Sequence, residues 1–182
     1  MDRKGRKITI SEQRKRIMTV SEVLNRVSIL LANVIESRDP YTRGHSEHVA
    51  ELTVNMARSL FPRIFLDIQM VKISALLHDI GKIGITETVL NKPTLLTEAE
   101  LIMIRSHTIL GEKLIEPLMP ENILRDAVRF HHENFDGSGY PDRLSGKGIP
   151  LIARIIRLAD YFDALTSNRP YRPAMTLDEA CR

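Results

Sequence analysis

The sequence is poor in cysteine, with only Cys181 among its 182 residues. A single thiol excludes a disulfide framework and any zinc site built from cysteines. Long apolar runs are also missing: none approaches the ~20 residues of a membrane-spanning helix, and no apolar segment follows the basic N-terminus as it would in a signal peptide. These absences, with 43% hydrophobic and 27% charged residues, predict a cytoplasmic globular protein without a membrane span.

An excess of positive charge is confined to the first 16 residues. The whole chain has a net charge of +3, whereas residues 1–16 contain seven lysines and arginines against two acidic residues, a net charge of +5. The rest of the chain therefore has a net charge of −2. We interpret residues 1–16 as a basic tail or linker, and the near-neutral remainder argues against a nucleic-acid partner.

The alternation of apolar and polar residues that is typical of strands is absent from the sequence, and so are internal repeats. Apolar residues recur instead at helical spacing, and proline and capping-box signals mark the ends of the segments. The predicted helices cover residues 17–38 (an N-terminal connector helix), 45–60, 67–81, 97–116, a segment from after Pro120 to 132, and 151–164. The sequence predicts an all-α fold.

Two segments depart from this pattern. Residues 133–150 are rich in glycine, proline, asparagine and aspartate, which predicts a long loop of the kind that is usually functional in compact domains. Thr176 and Glu179 have capping-box spacing although the chain ends at Arg182. We therefore expect a domain over residues 39–182 that is truncated at its C-terminus.

Histidine and aspartate residues concentrate at the predicted helix ends. Imidazoles and carboxylates on several helices are what a helical bundle needs to hold metal in its core. Two metals that share a bridging carboxylate need about seven or eight protein ligands. Nitrogen and oxygen ligands without thiolates suit iron, manganese or zinc. The seven candidate ligands are His45, His78, Asp79, His107, His131, His132 and Asp160.

The doublet His78-Asp79 resembles the signature of the HD phosphohydrolase superfamily. Five motifs between about Glu36 and Pro173 resemble, in order, the HD-GYP subfamily of bacterial cyclic-di-GMP phosphodiesterases. They are Arg38-Asp39-Pro40-Tyr41-Thr42-Arg43-Gly44-His45-Ser46, His78-Asp79-Ile80-Gly81-Lys82-Ile83-Gly84, His131-His132-Glu133, Asp136-Gly137-Ser138-Gly139-Tyr140-Pro141 and Arg169-Pro170-Tyr171-Arg172. The resemblance implies an HD-domain helical bundle, with residues 39–182 as the catalytic domain and the glycine-rich loop at its active site.

The resemblance also implies two divalent metal ions, iron or manganese. The first would be held by His45, His78, Asp79 and Asp160, and the second by Asp79, His107, His131 and His132, with Asp79 bridging the two. Some members bind a third metal through a glutamate where this chain has Tyr41, so two metals are expected. His48 stands where the family usually has arginine, and Thr108 where it has proline. His48, one turn from His45, could compete for metal.

The same resemblance implies the catalytic and substrate-binding residues. Asp79 and Lys82 are the expected catalytic residues, with Lys82 facing the scissile phosphate. Tyr140 would line the substrate pocket, and Arg169 and Arg172 would clamp phosphate. Independently of the family, phosphodiester hydrolysis needs an activated water and neutralised phosphoryl charge, which two metals and a lysine can supply.

Three functions stay open at this point. The first is hydrolysis of cyclic-di-GMP to pGpG and on to GMP. The second is a broader HD phosphohydrolase acting on (p)ppGpp, deoxynucleotides or another cyclic dinucleotide. The third is a catalytically silent signalling module that docks partners such as diguanylate cyclases. The connector helix suggests an upstream sensor or receiver domain of a bacterial signalling system, and pairing in a homodimer.

Two carboxylates have undecided roles. Glu133 is either a partner of the neighbouring histidine pair or a charge at a helix end. Asp163, three residues after Asp160, either faces the site or caps a neighbouring group.

Overall fold

The computed structural model describes residues 18–39, 43–62, 66–117, 122–167 and 173–180. Within these ranges the chain is helical and contains no strand, which confirms the all-α prediction. The helices are α1 (Val20–Glu36), α2 (His45–Leu60), α3 (Ile68–Leu76), α4 (Glu87–Leu90), α5 (Glu98–Arg105), α6 (His107–Ile115), α7 (Asn122–Phe130), α8 (Leu151–Thr166) and α9 (Leu177–Ala180), with 3₁₀ helices at Ile80–Gly84 and Gly146–Gly148.

The core is formed where α2 packs against α3 and α8, and where α7 packs against α3 and α8. Its fully buried side chains include Val49 of α2, Leu76 of α3, Val128 of α7 and Ile156 of α8. Leu76 is one of the apolar positions whose helical spacing predicted its helix. Among the described residues, no helix combines the length and the apolar character that crossing a bilayer requires.

Both predicted capping boxes are present. Thr97 and Glu100 bond reciprocally at the start of α5: the Thr97 amide donates to the Glu100 carboxylate at 2.7 Å and the Glu100 amide donates to the Thr97 hydroxyl. Thr176 and Glu179 do the same before α9. Each box satisfies backbone donors that have no partner inside the helix, so local sequence sets these helix starts.

The single helix predicted over residues 97–116 is wrong, because it is divided at Ser106 into α5 and α6. The Ser106 hydroxyl donates to the Met103 carbonyl at 2.6 Å, a local bond that competes with regular helix geometry. The tertiary reason lies at Gly81, where a Cβ atom would stand 1.8 Å from the carbonyl oxygen of His107. Only glycine allows the 3₁₀ helix to pack this closely against the start of α6.

Candidate metal centre

Five helices bring the predicted ligands to one place, and most of these ligands lie at or just beyond the end of a helix. His45 and His107 are the first residues of α2 and α6, His78 and Asp79 follow α3, and Asp160 lies within α8. The pair His131 and His132 follows α7. The residues at the centre of the cluster, His78, Asp79, His107 and His131, are all buried.

Asp79 is the hub of this cluster. Its Oδ1 lies 3.3 Å from Nε2 of His107 and 3.8 Å from Nε2 of His131. Its Oδ2 lies 3.5 Å from Nε2 of His78. One carboxylate therefore faces imidazole nitrogens from three different segments.

The protonation of these three imidazoles follows from their other ring nitrogen. Nδ1 of His78 lies 2.7 Å from the Ala75 carbonyl, and His107 and His131 have the same relation to the carbonyls of Ile104 and Val128. A carbonyl only accepts, so each Nδ1 donates its proton. Nε2 of each neutral ring is then a bare lone pair directed at Asp79, the tautomer that ligates metal.

Burial favours the neutral form of His78, His107 and His132. It lowers the pKa of His78 and His107 to about 4, and it lowers the pKa of His132 well below its usual value. Burial also raises the pKa of the Asp79 carboxyl, but Lys82 and the surrounding histidines outweigh that effect and hold it well below the ordinary range. At neutral pH these three histidines therefore offer neutral nitrogen donors beside one ionised carboxylate.

This donor set fits a bound cation. Oδ1 of Asp79 is buried and accepts no hydrogen bond within the described part of the chain. The Nε2 atoms of His107 and His131 lie 3.2 Å apart, and neither carries a proton to share. Two groups of atoms are compact enough to ligate an ion: one from Asp79, His107, His131 and His132, the other from His45, His78 and Asp79. Facing lone pairs and an orphaned carboxylate oxygen are costly unless a positive ion lies between them.

His45 is oriented differently from the other histidines. Its Nδ1 lies 2.6 Å from Oδ2 of Asp163, which is buried on α8, and its Nε2 lies 3.4 Å from Oδ1 of Asp160. Burial lowers the pKa of His45, but the carboxylates of Asp163, Asp79 and Asp160 together outweigh it, so the pKa is raised. The open question about Asp163 is thus answered: it faces the site and orients His45. Asp160 borders the cluster through His45 but lies outside the two compact groups.

His48 binds the same carboxylate. Its Nδ1 contacts Oδ1 of Asp163, and its side chain is half exposed. Its described contact is with Asp163, so it supports the orientation of His45 by holding the shared carboxylate in place.

Two further predicted residues border the cluster. The Lys82 ammonium lies 2.6 Å from Oδ2 of Asp79, and although burial lowers its pKa, Asp79 outweighs this and raises it, so Lys82 is charged. The Tyr140 ring stacks on His132 with centroids 4.8 Å apart, and the Arg105 guanidinium lies 5.3 Å from the Tyr140 centroid. Tyr41, Arg169 and Arg172 lie outside the described residues, so their predicted roles stay predictions.

Glu133 has neither of the two roles considered from the sequence. It is buried, and its carboxylate accepts the amides of Asp142 at 2.7 Å and Leu144 at 3.0 Å. It thereby closes the glycine-rich loop onto the segment that follows α7. Gly139 completes this closure, since a Cβ there would lie 2.3 Å from the amide nitrogen of Asn134. The same fold-back places Tyr140 on His132.

Two residues that sequence reasoning missed support the site. The buried Glu36 at the end of α1 accepts the amides of Gly44 at 2.6 Å and Ser46 at 2.7 Å, and so holds the start of α2 that carries His45. Gly44 has φ +77° and supplies no side-chain cap. The Glu36 carboxylate, at the end of α1, therefore caps the start of α2 instead. Arg157 on α8 lies 3.4 Å from Nδ1 of His132 and donates to Asn134 at 3.1 Å. The only sequence feature that could have predicted the role of Glu36 is its position shortly before a helix that begins after glycine. No sequence feature indicated the role of Arg157.

A buried His-Asp doublet in a helical bundle, with further histidines arranged around its carboxylate, defines an HD domain. The HD domain family model matches residues 29–182, and the chain belongs to this family. The resemblance to the HD-GYP subfamily is confirmed by the relatives below.

The chain is 43% identical over 151 residues to the 3'3'-cGAMP-specific phosphodiesterase 3 of Vibrio cholerae, covering 81% of this chain and 32% of that protein. It is 41% identical over 152 residues to the cyclic di-GMP phosphodiesterase response regulator RpfG of Xanthomonas campestris, covering 82% and 40%. The chain thus spans between a third and two-fifths of the length of these relatives. In fold it is similar to Bd1817, an HDG"Y"P protein from Bdellovibrio bacteriovorus, with a TM-score of 0.52 at 22% identity over 66% of this chain and 40% of that one.

Proposed function

We propose that this chain is a metal-dependent phosphodiesterase domain that hydrolyses cyclic-di-GMP to pGpG and on to GMP. The observation that carries the proposal is the buried Asp79 carboxylate, faced by three Nε2 lone pairs and paired with the Lys82 ammonium. Two divalent ions, iron or manganese, would be held by His45, His78, Asp79 and Asp160 and by Asp79, His107, His131 and His132. Metal bound there would supply an activated water and neutralise charge on the phosphoryl group.

The protein groups have separate tasks in this reaction. Lys82 keeps a positive charge at the edge of the cluster, where it stabilises negative charge that develops on the phosphoryl oxygens. The carbonyl-bonded rings of His78, His107 and His131 are held in one tautomer and do not reorganise during the reaction. Tyr140, stacked on His132, offers an aromatic wall for the substrate.

A cyclic dinucleotide has a second phosphate that the metal cluster does not bind. We assign its neutralisation to Arg169 and Arg172, because the planar guanidinium group matches phosphate oxygens. Replacing both by alanine should raise KM for cyclic-di-GMP, while hydrolysis of bis-p-nitrophenyl phosphate, which has no second phosphate, should change little. Equal losses on both substrates would refute the clamp.

A second substrate has a specific observation in its favour. The Vibrio cholerae relative at 43% identity is named for 3'3'-cGAMP, and the Xanthomonas relative at 41% for cyclic di-GMP. Both molecules share the cyclic backbone and at least one guanine. Comparing kcat/KM for cyclic-di-GMP and 3'3'-cGAMP on one metal-loaded sample decides between them.

The central test replaces Asp79 by asparagine, which keeps the shape of the side chain but removes its charge. Elemental analysis of anaerobically purified protein should show about two metals per chain in the parent and loss of metal together with turnover in the variant. Asp178→Asn, at an exposed carboxylate on α9, is the matched control and should keep both metal and turnover. Two ions still bound in Asp79→Asn would refute the binuclear assignment, and metal without turnover in the parent would favour a silent docking module.

The connector helix α1 supports a proposal about partners. Val20, Val23, Val27, Leu30 and Val34 are exposed and follow one another by alternating steps of three and four residues, whereas Ser28, Ala32 and Ile35 face the domain. This is the spacing of a coiled-coil seam, and valine at every seventh position favours a two-stranded parallel pair. We assign the seam to a second copy of this chain below an upstream sensor or receiver domain. Light scattering should give the mass of a dimer for the parent and that of a monomer for Val27→Glu. A monomeric mass for both proteins would refute the pairing.

A further inference from the structure

Arg157 on α8 separates the metal centre from a neighbouring cavity. On one side its guanidinium lies 3.4 Å from Nδ1 of His132 and 3.8 Å from Oδ2 of Asp160. On the other side it lines a cavity of about 470 Å³ between α8 and the segment after His132. Arg157 is therefore shared by the border of the cluster and the wall of the cavity, which places the two sites next to each other.

The walls of this cavity are mainly apolar and aromatic. Phe135, Leu158 and Tyr161 line it and are all more than half exposed. Exposed large apolar side chains gathered around one concavity are typical of ligand sites, and the volume lies in the range of about 300–1,000 Å³ found for small-molecule sites. The shape and lining suit a flat, ring-shaped group.

The polar groups of the cavity that can still accept a ligand are arginines, since the amide of Asn134 is already bonded to Arg157 and Ser138. Arg154 and Arg157 both line it, and the Glu133 carboxylate on its wall is occupied by the amides of Asp142 and Leu144. Nε of Arg154 is buried and has no hydrogen-bond acceptor in the described part of the chain. An unpaired buried donor is costly, and rotation of this guanidinium toward a ligand acceptor would remove that cost. The group that fits is thus flat and carries hydrogen-bond acceptors on an edge.

We propose that this cavity binds a guanine base of the cyclic dinucleotide, with Tyr161 and Phe135 as stacking surfaces and Arg154 reading the edge that carries O6 and N7. Guanine presents two adjacent acceptors there, a pair that arginine matches, whereas adenine presents an acceptor beside an amino donor. This inference rests on the proposed function, because it needs the phosphate at the Asp79 cluster. It makes Tyr161 and Arg154 specificity-determining residues that act outside the metal centre.

The first experiment measures equilibrium binding to the metal-loaded chain by calorimetry, with phosphorothioate analogues of cyclic-di-GMP and cyclic-di-AMP that resist hydrolysis. Tyr161→Ala and Leu158→Ala should each weaken cyclic-di-GMP binding, about 10-fold for Tyr161, since stacking of one base on an aromatic ring contributes about 1–3 kcal/mol. Leu95→Ala, an exposed leucine outside the cavity, is the matched control and should bind like the parent. Unchanged affinity in both cavity variants would overturn the proposal.

The second experiment concerns base selectivity. The parent should prefer cyclic-di-GMP over cyclic-di-AMP, and Arg154→Lys, which keeps the charge but removes the planar fork, should narrow that preference. A preference that persists unchanged in a folded Arg154→Lys variant would overturn the assignment of Arg154. Because Tyr161 and Leu158 are exposed, their variants remain informative even if Arg154→Lys does not fold.

Turnover measurements distinguish a failure of the base site from a failure of the proposed phosphodiesterase activity. With metal present, Tyr161→Ala should lower kcat/KM for cyclic-di-GMP about 10-fold more than kcat/KM for bis-p-nitrophenyl phosphate, which has no purine. Equal losses on both substrates would overturn the base site and leave the phosphodiesterase intact. A parent that binds cyclic-di-GMP through the cavity but hydrolyses neither substrate would refute the proposed function and leave the base site standing.

Discussion

The two halves of the histidine cluster are held in place by different means. His78, His107 and His131 each donate Nδ1–H to a backbone carbonyl three residues earlier in the chain. His45 instead bonds the side chain of Asp163, 118 residues later. The first three orientations therefore arise within a single helical turn, whereas the fourth exists only after α2 and α8 have packed together.

This difference determines how each half can be disturbed. No substitution removes a backbone carbonyl, so the orientation of His78, His107 and His131 changes only if the local helix changes. The orientation of His45 depends on one carboxylate that a point mutation removes.

The largest effect is expected from Lys82, which is three residues from Asp79. Lys82→Ala should retain the two proposed metals and the fold and lower turnover by about 100-fold or more, because it removes a preorganised positive charge from the proposed site of the reacting phosphate. Metal analysis and kcat on the same preparation test this. A rate equal to that of the parent would mean that Lys82 only balances the charge of Asp79.

Asp163→Asn tests the half of the cluster that depends on a long-range contact, namely His45 held by Asp163. Outer partners of ligating histidines typically contribute about 10–100-fold to metal affinity, so one of the two proposed metals should bind more weakly by that factor. Titration of the metal-free protein with Mn²⁺ should then resolve one tight and one weakened site. Asp178→Asn, at an exposed carboxylate on α9, should titrate like the parent. Equal weakening of both sites in Asp163→Asn would contradict the separation of the two halves.

Glu133 tests a contact of intermediate range, since its two amide partners are nine and eleven residues away. Glu133→Gln removes a buried charge and turns an amide group toward a backbone donor. Hydrogen bonds to charged groups contribute about 1.5–3 kcal/mol, so the free energy of unfolding in urea should fall by about 2 kcal/mol. Glu98→Gln, at an exposed position on α5, should leave it unchanged.

The smallest effect concerns a surface pair, Glu100 and Lys92. The Lys92 ammonium, with the amide and hydroxyl of Thr97, lowers the pKa of Glu100 to about 2 from its usual 4.5. The stability contributed by ionised Glu100 is therefore complete above pH 4.5 and lost as the pH falls through about 2. Lys92→Met should move the pKa measured by NMR upward, short of 4.5 because Thr97 remains. An unchanged value would assign the whole shift to the capping box.

Sequence reasoning located the helices well where apolar periodicity and caps agreed. The predicted bounds 45–60 are those of α2, and both capping boxes formed. It failed at Ser106, because the division there depends on the close packing of Gly81 against His107, which no local pattern reveals. It also left Asp163 and Glu133 undecided, since the partners of a carboxylate at a helix end depend on which distant segment packs beside it.

By itself the sequence determined the helical fold, the helix starts and the presence of a histidine and aspartate set typical of an HD domain. It also determined the tautomers of His78, His107 and His131, because their partners lie within one turn of the same chain segment. Only the tertiary structure decided that Asp79 faces three imidazoles, that Asp163 orients His45, and that Arg157 lies between the cluster and a cavity. Local contacts are set by backbone geometry over three or four residues, whereas these contacts arise from packing between helices that the sequence separates by up to 118 residues.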